Sequence, residues 1–291
     1  MKTIGFIGLG NMGLPMSLNL CRAGFPLLVC SSNPASSKKI EDAGGKSVSS
    51  FTELAQQADV VITIVPSDKE IYELYTASNG LINTMRNGTV CIDMTTANGS
   101  AKKAVEDYVK QKGKDIGVID APVSGGIKGA AEALLTIMVS CKKSLFGENM
   151  PIFSAMGKKI VYTGELGSAS DIKMLNQMLN AGNNVLCCEA LCMAKKLGVN
   201  LDIMKEIINE SSGRSYIFKT HVPRFISGDH TPDFRLDLMK KDVGIFIEKA
   251  RKHNTFTPIA EFVYKVFTAC SNQGHGEKNV TYIFNWYEQN Q

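Results

Sequence analysis

The sequence predicts an α/β protein: a doubly wound, mostly parallel sheet followed by an all-α C-terminal domain. Three observations carry this. Short β-rich runs alternate with helical patterns through the first half of the chain. Several of those runs are apolar at nearly every position, as strands covered by helices on both faces are. Beyond Gly164 only helical spacing continues, nearly to the end. With 291 residues, at roughly 100–200 per domain, there is room for two cores. The change of pattern sets the boundary: residues 1–163 form a sheet domain and 164–291 a helical domain that begins with a long central helix.

The expected strands are Thr3–Ile7, Leu27–Cys30, Asp59–Val65, Thr89–Asp93, Ile116–Asp120, Leu134–Val139 and Lys159–Tyr162. Helical segments lie between them, among them Met12–Ala23, Phe51–Gln57, Ser100–Lys112 and Ser144–Met156. In the second half, caps and stops fall at Gly198-Val199-Asn200, Ser211-Ser212-Gly213, Ser227-Gly228-Asp229 and Gly274. The segment Asp171–Leu197 is apolar on almost every side and is expected to be buried as a central pillar. One polar stripe interrupts it: Lys173, Asn176 or Gln177, Asn180 and Asn184, at steps of three and four. A Lys on a buried helix needs a partner or a wet cavity. Spacing alone also allows a solvent-exposed edge near the helix start, so both readings stay open here.

Composition excludes several function classes. Apolar residues at 44% and charged residues at 21% are ordinary for a globular protein and exclude a disordered chain. A net charge of +4 is too mild to argue for nucleic acid or a membrane surface as partner. No apolar run reaches the ~18 residues of a membrane span. The start, MKTIGFIGLG, leads straight into a strand and a Gly-rich turn, without the long apolar stretch and cleavage site of a secretory signal. A cytoplasmic protein is expected. The eight cysteines show no CxxC pair and no His at metal-ligand spacing, so no metal site is expected; most sit in apolar runs, where reduced thiols act as small hydrophobes.

Chemistry enters at the first turn. Gly8-Leu9-Gly10-Asn11-Met12-Gly13 follows a strand and opens a helix, the context that makes a GxGxxG match specific for a Rossmann-type dinucleotide site. Gly8 allows the tight turn, Gly10 the approach of a pyrophosphate, and Gly13 close helix–strand packing. About 20 residues on, the ribose-reading position holds Ser31-Ser32-Asn33. No carboxylate stands there to repel a 2′-phosphate, and Lys38 and Lys39 follow, so an NAD(P) cofactor is expected, with a lean toward NADP. The alternative is that these residues merely cap the next helix. Two further loops, Val65-Pro66-Ser67-Asp68 and Asp93-Met94-Thr95-Thr96, end strands on what should be the same sheet edge, where ligands gather. A third, Asp120-Ala121-Pro122-Val123-Ser124-Gly125-Gly126, offers consecutive backbone N–H groups and the Ser124 hydroxyl as a nest for a carboxylate.

Taken together, the chain resembles the β-hydroxyacid dehydrogenase family, the group that includes 3-hydroxyisobutyrate dehydrogenase, over nearly its whole length. GFIGLGNMGLPM is similar to the family's cofactor signature and DAPVSGG to its substrate signature; KMLNQ resembles the catalytic helix, and FRLDLMKKD a late segment that returns to cofactor and substrate. The resemblance implies hydride exchange between NAD(P)H and a short carboxylate-bearing semialdehyde. Lys173 would then be the general acid/base. Ser124, Gly125 and Gly126 would hold the substrate carboxylate with Asn176 or Gln177, Lys241 would close the site, and Asp242 and Phe234 would shape it. Thr95 or Thr96 would lie near the nicotinamide ribose. None of the four histidines lies in these motifs, and a desolvated Lys can titrate toward neutrality, which agrees with Lys173 as the proton carrier.

Two departures bear on the substrate. Where many members carry Asn this chain has Gln177, with Asn176 one position earlier, and Gln at this place looks more like tartronate semialdehyde reductases. Ser211-Ser212-Gly213-Arg214-Ser215 looks more like 3-hydroxyisobutyrate and 2-(hydroxymethyl)glutarate dehydrogenases, and Arg214 could pair a second carboxylate. Rival readings are an imine reductase on the same frame or a non-catalytic NADP-binding scaffold. The first typically lacks the Lys and the second would lose both the Lys and the nest; this chain keeps them. A decarboxylating 6-phosphogluconate type would need a longer helical region. The resemblance also implies a homodimer or homotetramer.

Overall fold

Strands that are apolar at every position need cover on both faces, and the computed structural model, which describes residues 1–231 and 233–290, provides it. In chain order the first part contains β1 (Ile4–Ile7), α1 (Gly13–Arg22), β2 (Leu27–Cys30), α2 (Pro34–Asp42), β3 (Lys46–Ser47), α3 (Phe51–Gln57) and β4 (Val60–Thr63). Then come α4 (Asp68–Thr76), α5 (Leu81–Thr84), β5 (Thr89–Asp93), α6 (Gly99–Gln111), β6 (Ile116–Asp120) and β7 (Val123–Ser124). The part closes with α7 (Gly126–Ala131), β8 (Leu135–Ser140), α8 (Lys143–Met156) and β9 (Gly157–Gly164).

The sheet runs β3-β2-β1-β4-β5-β6-β8-β7, with β9 paired to β8. Pairs from β3 through β6 are parallel; β8 is antiparallel to β6 and β7, and parallel to β9. The order reverses at β1, which has β2 on one side and β4 on the other, the switch point of a doubly wound sheet. Alternate residues feed two cores: Ile4, Phe6, Val60, Ile62, Val90 and Ile92 face one, while Ile7, Val61 and Cys91 face the other. The two-residue strands β3 and β7 are additions to the expected set, too short for any periodic signal in the sequence.

The remainder is helical: α9 (Ser168–Lys196), α10 (Leu201–Asn209), α11 (Tyr216–Ser227), α12 (Leu236–Lys252), α13 (Pro258–Cys270) and α14 (Ile283–Gln289). The chain forms two compact units, Met1–Lys173 and Met174–Gln291. The second has its own core, including Val185, Cys188, Leu191, Val222, Phe225, Val243, Phe267 and Phe284. Asn200 and Ser215 cap α10 and α11 with side-chain oxygens, and Gly228 ends α11 in the left-handed conformation. None of the eight cysteines is in a disulfide, and burial pushes Cys187 and Cys270 up to about 12, well away from reactivity.

One expectation about α9 is corrected. It is not buried all round: Ile172, Leu179, Leu186 and Met193, spaced by seven, are 45%, 69%, 60% and 56% exposed, with Leu175 and Leu197 beside them. The all-round apolar pattern holds two stripes, one feeding the core and one left on the surface of the single chain.

The polar stripe on α9 ends in a pair that motif reading passes over. Asn184 is fully buried and donates to the backbone and side-chain oxygens of Asn180, so its own carbonyl oxygen accepts from His221 Nδ1 at 2.7 Å. Burial pushes the imidazole pKa down to about 4, with Arg224 adding to the effect and Asp233 opposing it. A folded-state pKa below the unfolded value near 6.5 means that acid favours unfolding. Stability is therefore expected to fall as pH drops from about 6.5 to about 4, by on the order of 3 kcal/mol from this residue. Thermal melts across that window should show a shallower acid slope in His221→Gln than in wild type. Parallel slopes would refute the assignment.

Candidate active site

The turn between β1 and α1 is built for close approach. Gly8 has φ +103°, and a side chain there would meet the Ile64 carbonyl oxygen at 2.0 Å. A Cβ on Gly13 would lie 1.8 Å from the Gly8 carbonyl oxygen. Gly10, between them, faces open space. No side chain caps the start of α1, so an incoming anion finds its backbone donors uncontested. Leu9 is buried, Met12 packs against the core and Asn11 is exposed. A cavity of about 410 Å³ opens here, lined by Leu9, Gly10, Asn11, Asn33, Ser36 and Lys39 among others. This cradle fits a dinucleotide.

At the ribose-reading position, Asn33 caps α2: its side-chain oxygen accepts from Ala35 and Ser36 N–H at 3.0 and 3.4 Å, and Ser31 Oγ accepts from Asn33 N–H. The capping alternative thus describes the Asn33 carbonyl. Ser32 is exposed, Lys38 is paired with Asp42 on the surface, and Lys39 is the lysine on the cavity wall.

The loops after β4 and β5 are tied together below the surface. Asp93, at the end of β5, accepts from Thr63 Oγ1 at 2.5 Å, from Thr95 N–H at 3.0 Å and from Thr95 Oγ1 at 3.3 Å. Because a carboxylate only accepts, Thr63 must donate to it and so accepts from Tyr75 OH, 2.8 Å away. Thr95 Oγ1 in turn accepts from Val65 N–H at 2.9 Å, which fixes the two loops to each other. Lys102 of α6, 1% exposed, pairs with Asp93 and reaches the Thr95 carbonyl. Removing either charge alone would strand the other in the interior, at a cost of about 3–5 kcal/mol. Motif reading passed over Lys102. The available signal was its helical spacing from the core residues Val105 and Val109, which places a cation on the buried face of α6.

Asp120, the register partner of Asp93 on β6, performs a second anchoring. Its carboxylate accepts from Ser140 Oγ at 3.0 Å, Ser170 N–H at 2.9 Å and Ser170 Oγ at 2.8 Å. It therefore grips the first turn of α9, one turn before Lys173. Burial raises its pKa, against the lowering effects of Lys102, Ser170 and Ser140. Lys173 itself is 6% exposed, which removes the solvent-exposed-edge reading. Ser124, half-buried, is followed by Gly125 and Gly126 at φ +140° and +63°, a conformation that only glycine holds at ease and that opens α7.

In the helical unit, Gln177 is buried and its amide donates to Asp242 Oδ2 at 2.7 Å, while Lys241 Nζ lies 3.0 Å from Asp242 Oδ1. Asn176 is exposed and donates to Gln177 Oε1 at 3.1 Å. Four expected site residues thus form one polar chain. Arg214 is exposed and stands outside it, on a cavity of about 450 Å³ with Glu210, Tyr216 and Lys219. Phe234 packs against the core of the unit.

With this geometry in hand, comparison with known proteins is decisive. Residues 3–164 match the NAD-binding domain model of 6-phosphogluconate dehydrogenase, and residues 167–287 the NAD-binding model of NADP-dependent 3-hydroxyisobutyrate dehydrogenase. The 2-(hydroxymethyl)glutarate dehydrogenase of Eubacterium barkeri is 32% identical, over 98% of this chain and 95% of its own. The chain belongs to the β-hydroxyacid dehydrogenase family. It is an NAD(P)-dependent hydroxyacid dehydrogenase. Mitochondrial 3-hydroxyisobutyrate dehydrogenase of Mus musculus is 31% identical, over 98% of this dehydrogenase and 87% of its own chain. The structure of Mycobacterium tuberculosis 3-hydroxyisobutyrate dehydrogenase with L-serine superposes with a TM-score of 0.88 at 28% identity, covering 98% of each chain. Among the described residues of the dehydrogenase, no helix is long and apolar enough to cross a membrane.

Proposed function

We propose that this dehydrogenase reduces a short carboxylate-bearing semialdehyde to its 3-hydroxy acid with NADPH, using Lys173 as the general acid/base. The observation that carries the reading is a lysine 6% exposed, one turn beyond a helix start held by a buried carboxylate. A proton carrier needs to be sheltered and fixed in place. Relatives named for 3-hydroxyisobutyrate and 2-(hydroxymethyl)glutarate, and a relative whose structure was solved with L-serine, itself a 3-hydroxy acid, support the substrate class.

The nicotinamide, when bound, supplies or accepts the hydride. The turn Gly8–Gly13 would hold the pyrophosphate of the dinucleotide cofactor, and the cavity of Asn33, Ser36 and Lys39, with Ser31 and Ser32 alongside, its adenosine end. Val65, Pro66, Thr95 and Thr96 hold its other half. Ser124, Gly125 and Gly126 receive the substrate carboxylate through hydroxyl and backbone donors. Lys173 delivers the proton that the forming alkoxide needs, or removes it in the reverse direction. Gln177, oriented by Asp242 and assisted by Asn176, bonds the substrate, and Lys241 adds a cation beside cofactor and substrate, with Phe234 packed behind. Arg214 reads a second carboxylate in a dicarboxylic substrate. Cysteines outside any disulfide suit a reducing, cytoplasmic setting.

We also propose that the exposed seam Ile172, Leu179, Leu186 and Met193 is covered by a second copy of the chain in a homodimer or homotetramer. A row of apolar residues at heptad spacing is what a facing helix buries.

Three outcomes follow. Loss of reduced-cofactor absorbance with tartronate, succinic, methylmalonate or 2-formylglutarate semialdehyde should fall by about 10²–10⁴-fold in Lys173→Ala, while cofactor titration stays at the wild-type Kd. Turnover that survives the substitution would remove Lys173 from the mechanism. Lys39→Ala should lower kcat/KM for NADPH relative to NADH by roughly tenfold; an unchanged ratio would rule out Lys39 as the 2′-phosphate ligand. Light scattering should show wild type as an oligomer and Leu186→Asp as a smaller species, whereas a monomeric wild type would end the assembly proposal.

A further inference from the structure

A lysine that is 1% exposed, outside every motif that the function uses, requires a reason. Lys102 lies in the first half of α6 and its ammonium pairs with Asp93 and the Thr95 carbonyl. Asp93 holds Thr95 by its N–H and its hydroxyl, and that same hydroxyl holds the Val65 N–H. Thr63, fully buried at the end of β4, donates to the same carboxylate and accepts from the buried Tyr75 OH of α4. Every bond in the cluster therefore converges on two backbone segments, those at the carboxyl ends of β4 and β5. A buried ion pair contributes little net stability over an apolar pair, so its value here lies in geometry.

We infer that Lys102 is a positioning residue that sets the loops Val65-Pro66 and Thr95-Thr96 in the shape that receives the cofactor before it binds. It rests on the reading of those loops as cofactor-holding. Lys102 does not touch the cofactor; it acts through Asp93 and the Thr95 carbonyl. Without the ammonium, the Asp93 carboxylate would lose the cation that fixes its orientation and the Thr95 carbonyl would lose its donor. The Lys102 charge also acts on Asp120 of the neighbouring strand, so one cation steadies both carboxylates at this edge.

The test is a fluorescence titration of NADPH and NADH into wild type and into Lys102→Met, whose folding is checked by thermal melting. The variant is expected to bind NADPH roughly tenfold more weakly, because loop order formerly built in must be acquired on binding. Its KM for the semialdehyde should change less than the cofactor Kd. If the lone carboxylate prevents folding, Lys102→Met with Asp93→Asn gives a neutral pair of similar shape that still lacks the ammonium's bond to the Thr95 carbonyl, and the same weakening is expected. Amide hydrogen exchange on cofactor-free wild type supplies a readout that needs no variant: Val65 and Thr95 N–H groups should be protected. A folded variant that binds as tightly as wild type, or free exchange at those two amides, overturns this inference alone. Wild type that binds neither nucleotide overturns the cofactor reading, and this inference with it.

Discussion

Two carboxylates end adjacent strands of the parallel sheet, Asp93 on β5 and Asp120 on β6, and neither is given up to solvent. Each is kept by the groups that it organises. Asp93 gathers Thr63, Thr95 and Lys102, and through Thr95 the Val65 N–H. Asp120 gathers Ser140 and the first turn of α9. A parallel sheet leaves its carboxyl edge as the place where loops diverge, so loop geometry there has no strand ladder to enforce it. Charge-assisted hydrogen bonds at fixed strand termini supply what the ladder cannot. The cofactor-side loops and the helix that carries Lys173 are both referred back to this one edge.

Sequence patterning made the frame legible because the frame is repetitive. Runs such as VVIT and TVCID carry apolar residues to both faces, and the glycines of the first turn are fixed by contacts that allow no side chain, as at Gly8 and Gly13. The polar stripe on α9 is visible through its spacing, which leaves open whether it is buried; Lys173 and Gln177 are. What escaped were interactions between residues distant in sequence. Lys102 is one of two consecutive lysines in an amphipathic helix; its spacing from Val105 and Val109 sets it on the inward face, but only the packing of α6 shows its pairing with Asp93. His221 meets Asn184 across 37 residues, and no local pattern announces that pair. Asn33 shows the opposite limit, since a residue suited to a phosphate is equally suited to a helix cap, and its carbonyl is used for the cap.

A helix that is apolar around its whole circumference can be surrounded by its own chain or by another, and composition does not distinguish the two. Here the positions facing the core, Ala181, Val185, Cys188 and Cys192, are separate from the seam Ile172, Leu179, Leu186 and Met193. The polar line Lys173, Gln177 and Asn184 occupies a third sector of the same helix. One rigid element thus has three obligations at once, and a rotation that improved one would degrade the others. Its start is held by Asp120 through the Ser170 N–H and hydroxyl. Along its length Gln177 is tied to Asp242, and Asn184 to His221. These directional bonds set the rotation of α9 where apolar packing, which is non-directional, would not. That is the physical reason for polar residues to persist on a helix otherwise composed for burial.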